Sequence, residues 1–325
     1  MSEQANTPKT GPGELARQLD EPSLEPAEPA AWYRSARLNG QEANRNVSRA
    51  LDQGPDCESD EDGQTSTVSI SSSVLQYRAI NGRTYHSARH ATDYFTPNDQ
   101  QHQESLDLTH HYLTILLNGK LFLAPIPNDV KAVVDIGTGT GIWAIDFADM
   151  YPDAQVTGTD LSPMQPSWAP CNLKFEIDDA TLPWTWAPDS FDFVHMRYLL
   201  GAINDWTALF MQAYRCCKPG GWVQSAEVDP TFHSDHGTVD AHPVLAKWNE
   251  MFREASRRTG RSFVVASEDV QHKGILAAGF TDLSVVNFKV TFLTVYWGLQ
   301  ELTTRIASSG GLGAGPQAQG CWAIC

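Results

Sequence analysis

The stretch Val133-Val134-Asp135-Ile136-Gly137-Thr138-Gly139-Thr140-Gly141-Ile142-Trp143 decides the fold. An apolar run leads straight into a Gly-x-Gly-x-Gly turn, and helix-forming sequence begins immediately after it. This order of strand, glycine turn and helix opens a parallel α/β sheet. Glycine at these positions lets the chain reverse sharply, and lets a ligand lie against backbone where a Cβ would intrude.

Working outward, Lys131 to Ile136 reads as the first strand and Gly141 to Met150 as its helix. Ala154 to Thr159, Leu173 to Ile177, Phe191 to His195 and Trp222 to Glu227 read as the next four strands, with a helix over Trp206 to Cys217 before the last. Each strand is short and largely apolar, as a strand buried on both faces must be. Lys218-Pro219-Gly220-Gly221-Trp222 is a tight turn, because proline fixes φ and paired glycines accept positive φ. Helices over Pro243 to Arg258 and Glu268 to Ala278 precede a β-prone run from Leu283 to Trp297. The expected class is α/β, a mostly parallel doubly wound Rossmann-like sheet, occupying residues 129–297.

Upstream, residues 74–128 form an N-terminal cap, in which Leu106 to Leu123 carries apolar residues at helical spacing, closed by Asn118-Gly119. Residues 1–73 are rich in Pro, Glu, Gln and Ser and hold the acidic cluster from Asp56 to Asp62. They carry too little apolar surface to offset chain entropy and are expected to be disordered. Residues 298–325 are glycine-rich and without periodicity, which predicts an irregular tail.

The chain has 325 residues, 41% of them hydrophobic, enough for a sizeable core. Its formal net charge of −16 would repel a phosphate backbone and argues against direct nucleic-acid binding. Six cysteines without a CxxC pair point to a reducing compartment, cytoplasmic or nuclear. The first residues lack the features of a secretory signal, and no run reaches the roughly 18 apolar residues of a membrane span. There is no Gly-x-Ser-x-Gly nucleophile elbow. His233-x-x-His236 and His110-His111 lack companion ligands at suitable spacing, so no metal is expected.

A glycine turn alone is shared by several nucleotide-binding folds, so its neighbours must select the ligand. The tighter Gly-x-Gly-x-Gly spacing has no pyrophosphate to seat. Asp135, inside the strand end, can hold the loop and face a cationic amine. Asp160, followed by Leu161, closes the second strand where a carboxylate can accept both hydroxyls of a ribose. Asp178-Asp179-Ala180 closes the third, where adenine would lie. Aspartate is common in ordinary turns; that account fits each residue singly and the set poorly. Together they predict S-adenosyl-L-methionine. Asp135 and Gly137, Thr138, Gly139 and Gly141 would seat the methionine part, Asp160 and Leu161 the ribose, and Asp178, Asp179 and Ala180 the adenine, with Tyr94 capping. His195, at the end of the fourth strand, is open to three readings: base, cofactor contact or structural residue. Glu227, ending the fifth, is open to two readings: a substrate-side carboxylate, or, by default, a solvated strand end. No catalytic residue is singled out, because displacement at a sulfonium can run on positioning alone.

Asp135 to Trp143, Asp160-Leu-Ser162, Phe175 to Ala180, Phe191-Asp192, His195-x-Arg197, Asp205-Trp206 and Lys218-Pro-Gly-Gly-Trp222 with Glu227 closely resemble the fungal LaeA-like methyltransferases. So do Arg83-x-Tyr85-His86, Tyr94-x-x-Pro97-Asn98-Asp99 and Leu106-Asp107-Leu108-x-His110-His111 upstream. The resemblance spans roughly residues 75–290 and departs beyond Lys289. It implies a Rossmann-like methyltransferase fold, S-adenosylmethionine as cofactor, and a place in fungal secondary metabolism. The implied fold has its last, antiparallel strand between strands five and six, and unless Val290 to Trp297 supplies it, rows of backbone groups stay unpaired. The methyl acceptor would be a small molecule or a protein. The alternative is a cofactor-binding regulator that acts through protein partners, with the acidic N-terminal segment as docking surface.

Overall fold

A computed structural model describes residues 76–87, 92, 94–234, 236–239 and 241–288, together with the backbone of 301–310 and 318–324. The segment 1–73, expected to be disordered, and the run 290–297 lie outside the described residues. All the described residues belong to one unit of the chain.

The chain enters through a hairpin, β1 (Arg78–Ile80) antiparallel to β2 (Arg83–Tyr85). Its two-residue turn is Asn81-Gly82, both at positive φ, the geometry that matches the twist of paired strands. Helix α1 (Gln100–Leu116) begins at Asp99, whose carboxylate accepts from the His102 amide at 3.1 Å and from Arg83 Nη2 at 2.8 Å. It therefore starts six residues before the apolar spacing at Leu106 suggests, because a capping side chain and not hydrophobicity sets its origin. It ends as expected, with Asn118 and Gly119 at positive φ.

Strand β3 (Ala132–Ile136) and helix α2 (Ile142–Met150) flank the glycine turn. Then follow β4 (Gln155–Asp160), β5 (Leu173–Ile177), β6 (Phe191–Arg197), α3 (Trp206–Cys216) and β7 (Cys217–Asp229). Helices α4 (Pro243–Thr259) and α5 (Val270–Ala278) lead to β8 (Phe280–Phe288), β9 (Glu301–Gly310) and β10 (Ala318–Ile324). The sheet runs β5-β4-β3-β6-β7-β10-β9-β8, with a further β7–β9 pairing. Its first five strands are parallel. The fold is the α/β, Rossmann-like, doubly wound sheet that the sequence predicts.

Successive residues of β3 serve opposite faces. Val133 packs in one apolar cluster with Trp143, Phe147 and Phe193, while Val134 and Ile136 join Leu209, Phe210 and Ile275 in another. Phe147 and Phe193 are fully buried, and each such ring contributes about 1.5–3 kcal/mol. The β6–β7 register jumps from Phe191 with Cys217 to Phe193 with Trp222. Lys218 to Gly221 thus bulges out of the ladder with Gly220 at φ 83°, where a turn was expected.

The C-terminal end differs from its sequence reading. The tail 298–325, expected to be irregular, contains β9 and β10. β9 is antiparallel to β7, β8 and β10, and β10 is parallel to β7, so two strands of the tail, 301–310 and 318–324, stand between the fifth strand and β8. β8 itself is only nine residues long and ends at Phe288. Backbone pairing in a sheet decides this, and Ser- and Gly-rich text without alternation gives no sign of it.

Candidate cofactor site

The glycine turn carries Gly137, Gly139 and Gly141 at φ 70°, 60° and 81°. A Cβ on Gly137 would stand 2.5 Å from Leu199 Cδ2, and one on Gly141 2.5 Å from Phe175 Cζ. The turn is held on several sides. Thr138 N donates to Thr159 O at 2.8 Å, Thr140 Oγ1 to Asp107 on α1 at 2.8 Å, and Gln165 Nε2 to Gly139 O at 2.7 Å.

Asp135 is buried beneath the turn. Its Oδ2 accepts from Thr138 Oγ1 at 2.7 Å and its Oδ1 from His195 Nδ1 at 2.7 Å. The His195 ring, itself buried, stacks on Trp143 with centroids 3.6 Å apart and planes 5° apart. Burial lowers the His195 pKa against the opposing pull of Asp135, favouring a neutral ring with its proton on Nδ1.

A cavity of about 360 Å³ opens beside the turn. Tyr94, Gly137, Thr138, Gly139, Asp160, Leu161, Asp178, Asp179 and Ala180 line it; Asp135, Gly141 and His195 do not. Asp135 and His195 shape the turn from behind, because the alternation of strand side chains sends them into the core. Gly141 instead lets α2 start against Phe175.

Asp160 ends β4 with its Oδ2 accepting from Gly139 N at 2.8 Å and its Oδ1 from Ser162 N at 3.0 Å. Burial, reinforced by the charge of Asp135, raises its pKa to about 6 against those two amides. Asp179 has four donors: Thr92 N at 3.1 Å, Thr92 Oγ1 at 2.8 Å, Thr181 N at 3.0 Å and Thr181 Oγ1 at 2.7 Å. These outweigh its burial and lower its pKa. Asp179 thereby ties the N-terminal segment to the end of β5. Tyr94, whose phenol burial pushes up to about 12, forms part of the wall.

The turn after β6 holds Tyr198 and Leu199, which sequence reasoning passed over, beside Glu227. Tyr198 sits at φ 56°, a costly conformation for a non-glycine residue, held by its amide on Ala226 O at 2.9 Å. Glu227 is fully buried and accepts from the Leu199 and Leu200 amides at 2.8 and 2.9 Å. Desolvation raises its pKa to about 8. It shapes this turn and does not line the cavity, so it is neither a substrate-side carboxylate nor the solvated strand end of the default reading. Arg197, Tyr198, Leu199 and, from α1, His110 all line the cavity. In the sequence, Arg197 and His110 stood out only as part of the family resemblance, and Tyr198 and Leu199 only by their place after β6.

Residues present fit an adenosyl amino acid. Two glycines leave backbone open along one wall, and the carboxylates of Asp160 and Asp178 stand at the ends of β4 and β5. Asn98 Oδ1, on the cavity wall, is buried with no hydrogen-bond partner among the described residues, so an acceptor stands ready for a ligand donor.

A methyltransferase-domain family model matches residues 108–272. Methyltransferase pytC of Aspergillus terreus is 40% identical over 230 residues, covering 70% of each chain. Secondary metabolism regulator LAE1 of Cochliobolus heterostrophus is 35% identical over 219 residues, covering 66% of this chain and 70% of that one. Protein-methionine methyltransferase laeA of Emericella nidulans is 36% identical over 210 residues, covering 64% of this chain and 55% of that one. The glycine turn, the strand-end acids and these relatives agree: the chain belongs to the methyltransferase-domain family, among the LaeA-like methyltransferases of fungal secondary metabolism.

Proposed function

We propose that the cavity beside the glycine turn holds S-adenosylmethionine and that the chain transfers its methyl group to an acceptor of fungal secondary metabolism. The observation that carries this is Asp160, which lines the cavity while its carboxylate fixes Gly139 at 2.8 Å. One side chain at the end of β4 thus joins the recognition of hydroxyls to the shape of the turn. Lone pairs left over from Gly139 and Ser162 accept the ribose hydroxyls. Asp178 accepts from the adenine amine, and Asp179 orders that wall through Thr92 and Thr181. Leu161 and Ala180 give the apolar contacts of the nucleoside, and Tyr94 and Leu106 close it from solvent. The turn from Gly137 to Gly139 bears the methionine part, with Asp135, Gly141 and His195 holding its form.

When bound, the sulfonium supplies an electrophilic methyl group that a nucleophile displaces in line. The chain's contribution is to orient the two partners and keep water out. Phe95, Leu200, Ile203, Val228, Pro230 and Phe252 make a second, apolar stretch of the same cavity. This wall supports a small, largely apolar acceptor over a charged protein segment.

Calorimetric titration of the full chain with S-adenosylhomocysteine should give saturable binding, and titration with NAD none; Asp160→Ala should abolish the former. Labelled methyl groups should then move from S-adenosylmethionine into an organic-soluble fraction of fungal metabolites. Label recovered in protein alone would redirect the acceptor reading, and failure to bind S-adenosylhomocysteine would end the enzyme reading.

A further inference from the structure

The charges around the cavity are divided. Its carboxylates, Asp160, Asp178 and Asp179, stand at the ends of β4 and β5, on one side of β3. On the other side of β3, at the last residue of β6, stands Arg197, whose neighbour Met196 pairs with Ile136. Its Nη2 donates to His110 Nδ1 at 2.9 Å. A guanidinium has no acceptor, so Nδ1 must accept, which leaves the His110 proton on Nε2, where it donates to Asp146 Oδ2 at 2.8 Å. The ring is neutral, its pKa lowered first by burial.

This chain of contacts aims Arg197 without neutralising it. Asp146 reaches it only through the ring, and its carboxylate is 44% exposed. Among the described residues, no Asp or Glu forms an ion pair with Arg197. Arg197 is half-buried on the cavity wall, and beyond the bond to His110 its N–H groups have no protein acceptor among the described residues, so they are open to an anion that enters the cavity. A planar fork of donors is suited to a carboxylate.

We infer that Arg197, positioned by His110 and Asp146, is the anchor for the carboxylate at the amino-acid end of the ligand. The inference rests on the cofactor reading above and extends it to the group that fixes the orientation of the methionine arm. With hydroxyl acceptors on one side of β3 and a cation on the other, the ligand can lie across the glycine turn in one direction only.

The test compares two probes on the full chain, S-adenosylhomocysteine and its analogue lacking only the carboxylate. Wild-type protein should prefer the former by about 10- to 100-fold, the range of a charge-assisted pair. Arg197→Gln should cut that preference to within about threefold with little change for the analogue, and Arg197→Lys should keep part of it. His110→Phe should lower it without abolishing it. Equal binding of both probes by the wild type overturns the inference, and needs no variant to fold. Full preference in a folded Arg197→Gln also overturns it and assigns the cation to an anionic acceptor instead. Binding of neither probe by the wild type would instead show that the cofactor reading itself has failed.

Discussion

Asp135 on β3 and His195 on the adjoining β6 share a hydrogen bond of 2.7 Å, with side chains only 3% and 1% exposed. The other oxygen of Asp135 accepts from Thr138 in the glycine turn. A buried carboxylate survives because both oxygens have donors, and through it the core of the sheet sets the position of the turn. His195→Leu would keep the volume and remove one donor. It should lower stability by about 2–4 kcal/mol, seen as a clear drop in the denaturation midpoint, and weaken S-adenosylhomocysteine binding as well. An unchanged midpoint would show that the pair contributes nothing net.

Gly137 and Gly119 separate backbone strain from contact. Both have positive φ, 70° and 80°, but a Cβ on Gly119 meets nothing within 4 Å, while one on Gly137 meets Leu199. Each alanine variant should cost about 1–2 kcal/mol for the left-handed conformation. Only Gly137→Ala should also lose ligand affinity, by about tenfold or more, since Leu199 is held through Glu227. Equal loss in both variants in a calorimetric titration would remove the turn from the ligand site.

Asp160 couples affinity to acidity. Its pKa is raised to about 6 in the fold, so a proton occupies an acceptor position as the pH falls through that value. Affinity for S-adenosylhomocysteine should therefore drop between pH 7 and pH 5, and Asp160→Asn should be weak and flat over the same range. Its effect on stability has the opposite sign. The folded state binds this proton more tightly than the unfolded one, so the contribution of Asp160 is greatest below its ordinary pKa and is lost as pH rises through about 6. An affinity profile in the wild type as flat as in the variant would contradict the assignment.

Asp179 should act as a latch. Asp179→Ala leaves the Thr92 and Thr181 amides without their acceptor, at a cost of about 1–3 kcal/mol for each buried group. Hydrogen exchange at Thr92 should accelerate markedly, while exchange in the core of β3 changes much less. Uniform acceleration through the whole domain would mean a global loss of stability instead. The wild-type contact has the reverse pH sense to that of Asp160. Its lowered pKa makes its stabilisation present at neutral pH and lost in strong acid, below the ordinary carboxylate range.

Most of the sheet was legible because its signal is local. Apolar runs at β3, β4, β5 and β6 lie within two residues of their expected bounds, and α3 and α4 within one. The start of α1 was missed because Asp99 gains its meaning from Arg83 as much as from the helix. The strand at 301–310 was missed because pairing with β7, β8 and β10 compensates for weak β preference.

The site was legible only as a set of residues. Asp135, Asp160, Asp179 and Glu227 all look alike in the sequence, as acids near strand ends. In the fold, Asp160 lines the cavity, Asp135 supports the turn from below, Asp179 binds a segment 87 residues away, and Glu227 closes the turn after β6. Arg197 and His110 are likewise 87 residues apart, and though both belong to the motifs of the resemblance, nothing in the sequence said that they touch.

The sequence by itself determined that a parallel sheet forms, where its glycine turn lies, and that acids gather at the strand ends, since periodicity and glycine geometry are properties of neighbouring residues. Only the tertiary structure decided which of those acids are available to a ligand. A carboxylate's role is set by the donors that reach it and by its distance from water, and those donors come from parts of the chain that only folding brings together.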